Sequence, residues 1–381
     1  MVISRLILKN WKNFKEVDVD LQDQAYLVGP NASGKSNFLD ALKFLRDISK
    51  PGGGLQKAVE DRGGISKIRC LAARAYPDVE LEVHLSEYGS REVLWKYEIG
   101  IKQKPRGNRE PILTYERVWK KDKKILDRPN DEDLRDEIKL TQTYLQQINV
   151  NTDFRDISMF FSSTLYLHLV PQLLKYPDAF TGREIQGDPF GKGFLERVAK
   201  VNEKTRKAWL KRIEKALQGA MPQLKELNYT TERGYPHLEA LYEHWRPNAG
   251  KQREDQFSDG TLRLIGLLWS LQEGDSLLLL EEPELSLNNA IVSKLAPIIH
   301  DFSKNKKRQV IVTTHSSEFL SEKGIAGDEV LILKPDKEGT RIIVASKMKD
   351  VRSLLEAGMS VADAVVPLTK PTRIEQFEFF K

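Results

Sequence analysis

The sequence predicts an α/β fold in which a mixed, mainly parallel core sheet stands beside an antiparallel sheet, with a helical insertion between its two halves. Three observations carry this reading. The stretch "AYLVGPNASGKSNFLDAL" runs from a buried strand, Ala25 to Val28, through a glycine turn into an apolar-periodic helix. Three runs alternate with period two: Val79, Leu81, Val83, Leu85; Val93, Trp95, Tyr97, Ile99, Ile101; and Leu113, Tyr115 and Trp119 around Arg117. Such alternation belongs to antiparallel sheets with one covered face. Two continuous apolar runs, Leu277 to Leu280 and Val310 to Thr313, read as strands buried on both faces of a parallel sheet.

The glycine turn is the strongest local signal. Gly29, Pro30, Asn31, Ala32, Ser33, Gly34, Lys35 and Ser36 have the P-loop spacing, followed by Asn37. Glycines let a tight turn present its backbone N–H groups to an anion, and a helix N-terminus behind the turn adds its own. Lys35 is expected to reach the β- and γ-phosphates and the Ser36 hydroxyl to ligate Mg²⁺.

Of the remaining elements, Val2 to Leu8 and Val17 to Leu21 read as short strands before the P-loop strand. "SKPGGGLQKAVEDRGG", with five glycines and a proline, reads as a loop-rich connection. Between Pro129 and Gly219 the chain reads as mostly helical, with one helix over Leu134 to Ile148 and an apolar strand over Phe160 to Val170. The longest amphipathic helix is expected over Phe194 to Leu217. Phe194, Leu195, Val198, Trp209, Ile213, Ala216 and Leu217 fall on one side, and Lys200, Lys204, Lys207, Lys211 and Lys215 on the other. "EVLILKPDKEGTRIIVAS" reads as a strand pair. The expected organisation is a first lobe over 1–128, the helical insertion over 129–219, a second lobe over 220–345 and a C-terminal tail over 346–381.

Composition sets bounds on function. With 381 residues and 40% apolar content the chain can bury a large core, as one head with insertions or as two domains. Its 60 basic and 55 acidic residues leave a formal charge of +5, so any nucleic-acid surface must be local. A single cysteine, Cys70, excludes an internal disulfide and a cysteine-based zinc site, and the expected compartment is the cytoplasm. Cys70 reads as a small core residue. The N-terminus has no apolar signal region, and no run approaches the ~20 apolar residues of a membrane span.

The second half of the chain supplies the partners of the P-loop. "SLLLLEEPELSLNN" ends a buried strand in Glu281 and Glu282. Adjacent glutamates are common on solvated loops, but charge at the end of four leucines is costly without a partner. Glu281 is assigned to the metal and Glu282 to the base that accepts a proton from the attacking water. His315, at the end of the "QVIVTTH" strand, is placed to reach a γ-phosphate. Ser258, Asp259 and Gly260 open another apolar helix. That is a second anion-ready helix N-terminus, and one nucleotide has no evident use for both within a single subunit.

The motifs "LILKNWKNFKEVDVDL", "GPNASGKSN", "FSDGT", "LLLLEEPELSL" and "VTTHSSEFL" span nearly the whole chain. In this order they resemble the ABC-type ATPases of the SMC and RecF class, and more closely the OLD-like ATPases of the AAA15/AAA21 type. The resemblance implies a P-loop NTPase of the ABC-ATPase head type that hydrolyses ATP with Mg²⁺. It also implies a head-to-tail homodimer in which Ser258, Asp259 and Gly260 close in trans on the γ-phosphate that His315 senses. This sequence has Glu281 where aspartate is usual in Walker B, Asp259 for a signature glycine, as is common in the OLD-like group, and Asn288 where many relatives carry histidine. The glutamine of the Q-loop is left open among Gln56, Gln142, Gln147 and Gln172.

OLD proteins continue into a Toprim nuclease, which needs about 100 residues and clustered acids. Here 66 of the 381 residues follow His315, without a dense acidic cluster, so no nuclease domain is expected. Hydrolysis would then act on DNA or on a separate protein. The reading this resemblance favours is an ATPase that partners a separate effector, a Toprim-like nuclease, in bacterial anti-phage defence. The alternatives are a RecF-like repair ATPase that clamps DNA and a nucleotide-gated scaffold with negligible turnover.

The lysine row and the cluster Lys304, Lys306, Lys307 and Arg308 are the organised basic stretches, and neither adjoins a recognition helix or a zinc finger. Glu196, Glu203 and Glu214 flank the row, the ordinary composition of a solvated helix face. Salt titration of duplex-DNA binding separates the two meanings. A phosphate-contacting row gives an affinity that falls by about 0.9 log units per contact per decade of salt. Reversing Lys204, Lys207 and Lys211 to glutamate then abolishes binding and flattens the slope with ATP affinity intact; unchanged affinity and slope make the row a solvated face.

Overall fold

The structure is a computed structural model and describes residues 1–73, 78–104, 109–177, 188–243 and 250–370. In chain order the first part holds β1 (Val2–Trp11), β2 (Phe14–Asp20), β3 (Gln24–Val28), α1 (Lys35–Ser49), α2 (Leu55–Glu60) and α3 (Ile65–Ile68). Then follow β4 (Val79–Ser86), β5 (Val93–Gln103), β6 (Pro111–Lys120) and β7 (Lys123–Arg128). The middle holds α4 (Asp131–Arg135), α5 (Arg155–Ser162), β8 (Leu165–Leu167), α6 (Pro171–Lys175), α7 (Phe194–Lys200) and α8 (Glu203–Gln218). After it come β9 (Leu224–Glu232), β10 (Tyr235–Tyr242), β11 (Lys251–Arg253), α9 (Asp259–Gln272) and β12 (Leu278–Glu281). The chain continues through α10 (Asn289–Val292), α11 (Leu295–Lys306), β13 (Val310–Thr313), α12 (Ser317–Leu320), β14 (Val330–Asp336) and β15 (Gly339–Val344). It ends in α13 (Lys349–Glu356) and α14 (Val361–Val365), and positions 371–381 of the tail lie outside the described residues.

Among the described residues the strands form three sheets: β2-β1-β4-β5-β6-β7, all antiparallel; β11-β10-β9; and the core sheet β15-β14-β3-β13-β12-β8. In the core sheet β8, β12, β13, β3 and β14 run parallel, and β15 adds an antiparallel edge. Because successive strand residues point to opposite faces, each core strand feeds two hydrophobic clusters. Ala25, Leu27, Leu277, Leu279, Ile311, Leu331 and Leu333 join α1, α5 and the large antiparallel sheet. Tyr26, Val28, Leu278, Leu280, Val310, Val312, Val330 and Ile332 join α7, α8, α9 and α11. Both faces are covered, so the runs are apolar throughout and their polar residues collect at the strand ends. Cys70 is buried and free.

Three segments fold differently from the sequence reading, two for a polar reason and one for an apolar one. The helix expected over Leu134–Ile148 stops at Arg135, and a 3₁₀ turn follows over Glu137–Thr141. The Asp136 side chain accepts from Ile138 N–H, and the buried Glu116 carboxylate takes the N–H groups of Tyr144 and Leu145. The strand expected over Phe160–Val170 shrinks to β8, since Ile157, Phe160 and Phe161 share a helical face buried in the core. The long helix over Phe194–Leu217 breaks at Asn202, whose side chain accepts from Lys204 N–H and caps α8. Lys200 therefore lies on α7 and the other four lysines on α8, with Leu210 buried where Ala216 was expected. "PGGGLQKAVEDRGG" holds α2, and the small sheet β9–β11 carried no clear alternation.

The basic cluster at 304–308 does not face outward as a unit. Arg308 is buried, its guanidinium donating to the carbonyls of Ser270, Glu273 and Ser276. Lys306 donates to the carbonyls of Gln272 and Gly274. These cations close the carbonyl end of α9, where positive charge is favoured.

A buried charge cluster fixes β6 and β7 to the loop after α4. Arg128 pairs with Glu116 at 2.9 Å and with Asp133 at 2.7 Å, all three side chains fully buried. Glu116 also accepts from Tyr97 OH at 3.1 Å. Removing one partner of such a pair strands the other charge and costs about 3–5 kcal/mol. Glu116→Ala is expected to lower stability by that amount in chemical denaturation, with the loss tracked by tryptophan fluorescence.

Candidate functional site

β3 enters the P-loop and α1 leaves it, as the turn's spacing requires. Ala32 and Gly34 hold left-handed φ angles of 61° and 99°. A Cβ at Gly34 would stand 2.1 Å from Asn13 Nδ2, and one at Gly29 would stand 2.7 Å from the Leu333 carbonyl. Glycine is required at 34 on both counts, backbone angle and space. Asn31, Ala32 and Ser36 are exposed on the outer side of the loop, while Ser33 is buried with its hydroxyl unpartnered.

Asn13, in the turn between β1 and β2, is a functional residue that motif reading missed. Its amide donates to the Ser33 carbonyl at 2.9 Å and to Thr340 Oγ1 at 2.8 Å, and its Oδ1 accepts from Asn37 at 2.8 Å. Trp11 Nε1 adds a bond to the Asn37 carbonyl. The "KNWKNF" turn thus clamps the loop and the first turn of α1; the tryptophan and paired asparagines were its signal.

At the strand ends, β12 brings in Glu281 and Glu282 and β13 leads to His315. The Ser36 hydroxyl donates to Glu281 Oε1, and Tyr166 OH donates to Glu281 Oε2. Lys35 Nζ donates to the Gly29 and Pro30 carbonyls at 3.2 and 3.3 Å and lies 2.6 Å from His315 Nε2. His315 Nε2 stands 3.2 Å from Glu282 Oε1. Burial pushes the Lys35 ammonium below its usual value, opposed by Glu282, Glu281 and Glu284. The hydrogen bond from His315 holds the Glu282 carboxyl below the ordinary glutamate range, with Lys35 and His168 adding to it.

β8 supplies a wall that sequence reading left empty. Its Leu167 is level with Leu280, so the next residue, His168, lies beside Glu281, with Nδ1 3.3 Å from the Glu281 carbonyl. The glutamines left open for the Q-loop are engaged elsewhere. Gln56 donates to the Pro111 and Thr141 carbonyls, Gln147 to Gln142, and Gln172 to Asp259. Tyr166 and His168 line this side of Glu281, and motif reading did not single them out.

The signature residues do not join this cluster through their hydrogen bonds. Ser258 caps α9 by accepting from Thr261 N–H at 3.1 Å. Asp259 accepts from Gln172 at 2.7 Å and Lys175 at 2.8 Å, both near α6. Gly260 abuts the loop after β12, where a Cβ would come within 2.8 Å of the Ser286 carbonyl. Asn288 caps α10 through Ala290 N–H.

The residues present fit a nucleotide phosphate and its cation. The left-handed glycine cradle, the unpartnered buried Ser33 hydroxyl and the desolvated Lys35 suit an anion, and the Ser36–Glu281 oxygen pair suits a hard divalent ion such as Mg²⁺. Anion donors and cation ligands converging at the carboxyl ends of parallel strands define the class, a P-loop ATPase head. The chain belongs to the family described as "AAA domain, putative AbiEii toxin, Type IV TA system", which matches residues 25–321. A second description, "P-loop containing region of AAA domain", matches residues 3–45.

The chain is 36% identical over 93 residues to a DNA replication and repair protein RecF from Synechocystis, a segment covering 24% of each chain. It is 43% identical over 47 residues to the endonuclease GajA of Bacillus cereus, 12% of this chain and 8% of that one. These matches therefore span a quarter or less of either relative. An SMC head crystallised with the C-terminal winged-helix domain of ScpA matches with a TM-score of 0.56 at 17% identity, over 90% of this chain and 98% of that one. The fold is the one seen in SMC heads, and it carries the P-loop region of the AAA family. Among the described residues no helix is long and apolar enough to cross a membrane.

Asn13 holds the loop and the start of α1 through two hydrogen bonds, and is itself held by a third to Thr340 on β15; none involves an expected catalytic group. Each such bond is worth about 1 kcal/mol. Asn13→Ala is expected to weaken ATP binding about tenfold with the melting temperature changed by only a few degrees. Titration with a fluorescent ATP analogue beside a thermal melt checks it.

Proposed function

We propose that the chain is an ATP-hydrolysing head that dimerises head to tail on ATP and drives or gates a separate effector. The carrying observation is the split of the motifs. Lys35, Ser36, Glu281, Glu282 and His315 converge, while the N-terminus of α9, bearing Ser258, Asp259 and Gly260, is bonded to its own first turn and to α6 of the helical segment. The lobes over 1–128 and 220–345 would supply the two faces, with the helical segment over 129–219 between them.

In this reading the N–H groups of the P-loop and Lys35 hold the β- and γ-phosphates, Lys35 leaving His315 to do so. Ser36 and Glu281 would hold Mg²⁺, which when bound neutralises charge on the phosphates. Tyr166 keeps the Glu281 carboxylate turned toward the loop. Glu282 accepts the proton of the attacking water, and His315, beside both Glu282 and Lys35, reports the γ-phosphate to the β13 end. Ser258 and Gly260 of the partner head complete the site.

The family description and the short match to an endonuclease support an effector role in anti-phage defence, with a Toprim-like nuclease as the separate partner. The longer match to a repair protein supports a second reading, a head that clamps DNA. Glu282→Gln is expected to bind ATP while turnover falls by ~10² or more, and to sediment as a dimer with saturating ATP. Hydrolysis at the unmutated rate removes Glu282 as the base. An unchanged monomer mass with ATP removes the head-to-tail closure.

A further inference from the structure

Two buried charges beside the site lack a full set of partners. Arg263 lies on α9, one turn beyond Asp259; it is 7% exposed and its Nε has no hydrogen-bond partner. Glu284 lies on the loop after β12 and is 9% exposed. Its Oε1 accepts from Thr314 Oγ1 at 2.6 Å and from His315 N–H at 3.1 Å, while its Oε2 has no partner. Buried ions in this condition are costly, and the cost is relieved by pairing. Burial pushes the Arg263 guanidinium below its ordinary value, with Asp259, Glu284 and Glu282 opposing, and pushes the Glu284 carboxyl up.

The two elements are packed against each other. Arg263 lines a small cleft with Leu167, Leu169, Leu280 and Pro283, directly under Glu281. The contact of Gly260 with the Ser286 carbonyl leaves no gap between the start of α9 and the loop that carries Glu284. That loop is bracketed by two non-glycine residues in left-handed backbone, Glu282 at φ 45° and Ser286 at φ 63°. Such angles persist in non-glycine residues only where the surrounding structure holds them. Asp259, the nearest acid on α9, is already taken by Gln172 and Lys175.

We propose that Arg263 is a positioning residue that pairs with the free oxygen of Glu284 when the N-terminus of α9 is engaged, setting His315 through the bond from its N–H to Glu284. The inference rests on the ATPase reading above. It adds a route inside one subunit from Ser258 and Gly260 to the hydrolytic residues. In the resting head the pair is unmade, so Arg263 contributes to turnover and not to the stability of that state.

The test is a double-mutant cycle in the full chain with Arg263→Met, Glu284→Gln and the double variant, and with Arg263→Lys as the conservative control. Expected for Arg263→Met is a nucleotide-free melting temperature equal to or above that of the unmutated protein, unchanged affinity for a fluorescent ATP analogue, and kcat lowered at least tenfold with KM unchanged. The double variant is expected to be no slower than Arg263→Met, and Arg263→Lys to recover part of the rate. A lowered melting temperature with kcat tracking the folded fraction, or rate losses that multiply in the double variant, overturns the pairing while the unmutated ATPase remains. If Arg263→Met does not fold, multiplying losses in the Arg263→Lys and Glu284→Gln cycle overturn the pairing in the same way. Absence of ATP turnover in the unmutated chain overturns the functional reading and this inference with it.

Discussion

The structure depends on one electrostatic arrangement, an ammonium and three carboxylates drawn out of water at the ends of fully buried strands. Lys35 is desolvated, and Glu281, Glu282 and Glu284 oppose the loss of its proton. None of these charges would be tolerated alone at the edge of an apolar sheet. Their mutual placement requires β3, β12 and β13 to be adjacent and in register, Leu279 level with Ile311 and Ile311 level with Ala25. The apolar alternation that fills both clusters keeps that register, because a slip of one residue would turn Leu278 and Leu280 to the opposite face. Packing and chemistry are thus the same constraint seen from two ends of each strand.

Around this centre, buried polar groups join the layers. The Gln309 amide bonds both the N–H and the carbonyl of Ile3 and also the Gln22 carbonyl, tying the start of β13 to β1. Arg308, next to it, closes the end of α9. Glu116 and Arg128 organise the loop after α4. Each of these groups has several partners, which offsets the cost of holding it inside.

Much of the fold was legible because its longest signals are periodic. The parallel strands, the first three antiparallel runs and the loop-helix junction at Lys35 follow from alternation, apolar runs and glycine spacing. Two of the misread segments share a cause: Asp136, Glu116 and Asn202 act on backbone N–H groups, and a hydrophobic pattern is blind to them. In the site, the residues with a fixed spacing were legible, and those reached only through space were not. Asn13 lies 20 residues before Ser33, and Tyr166 lies 115 before Glu281. Asn13 lies within a quoted motif and Tyr166 within none, but the contact each makes is set by the fold.

The clamp made by Asn13 gives the outer sheet mechanical access to the nucleotide. The turn that grips Ser33 and Asn37 is the tip of the β1–β2 hairpin, and β1 is hydrogen-bonded to β4 in the six-stranded antiparallel layer. Thr340, on β15 of the core sheet, holds the same asparagine from the other side. Displacing that layer would therefore displace the hairpin tip that grips the loop, so the shape of the loop is tied to the position of the outer sheet as well as to its own glycines.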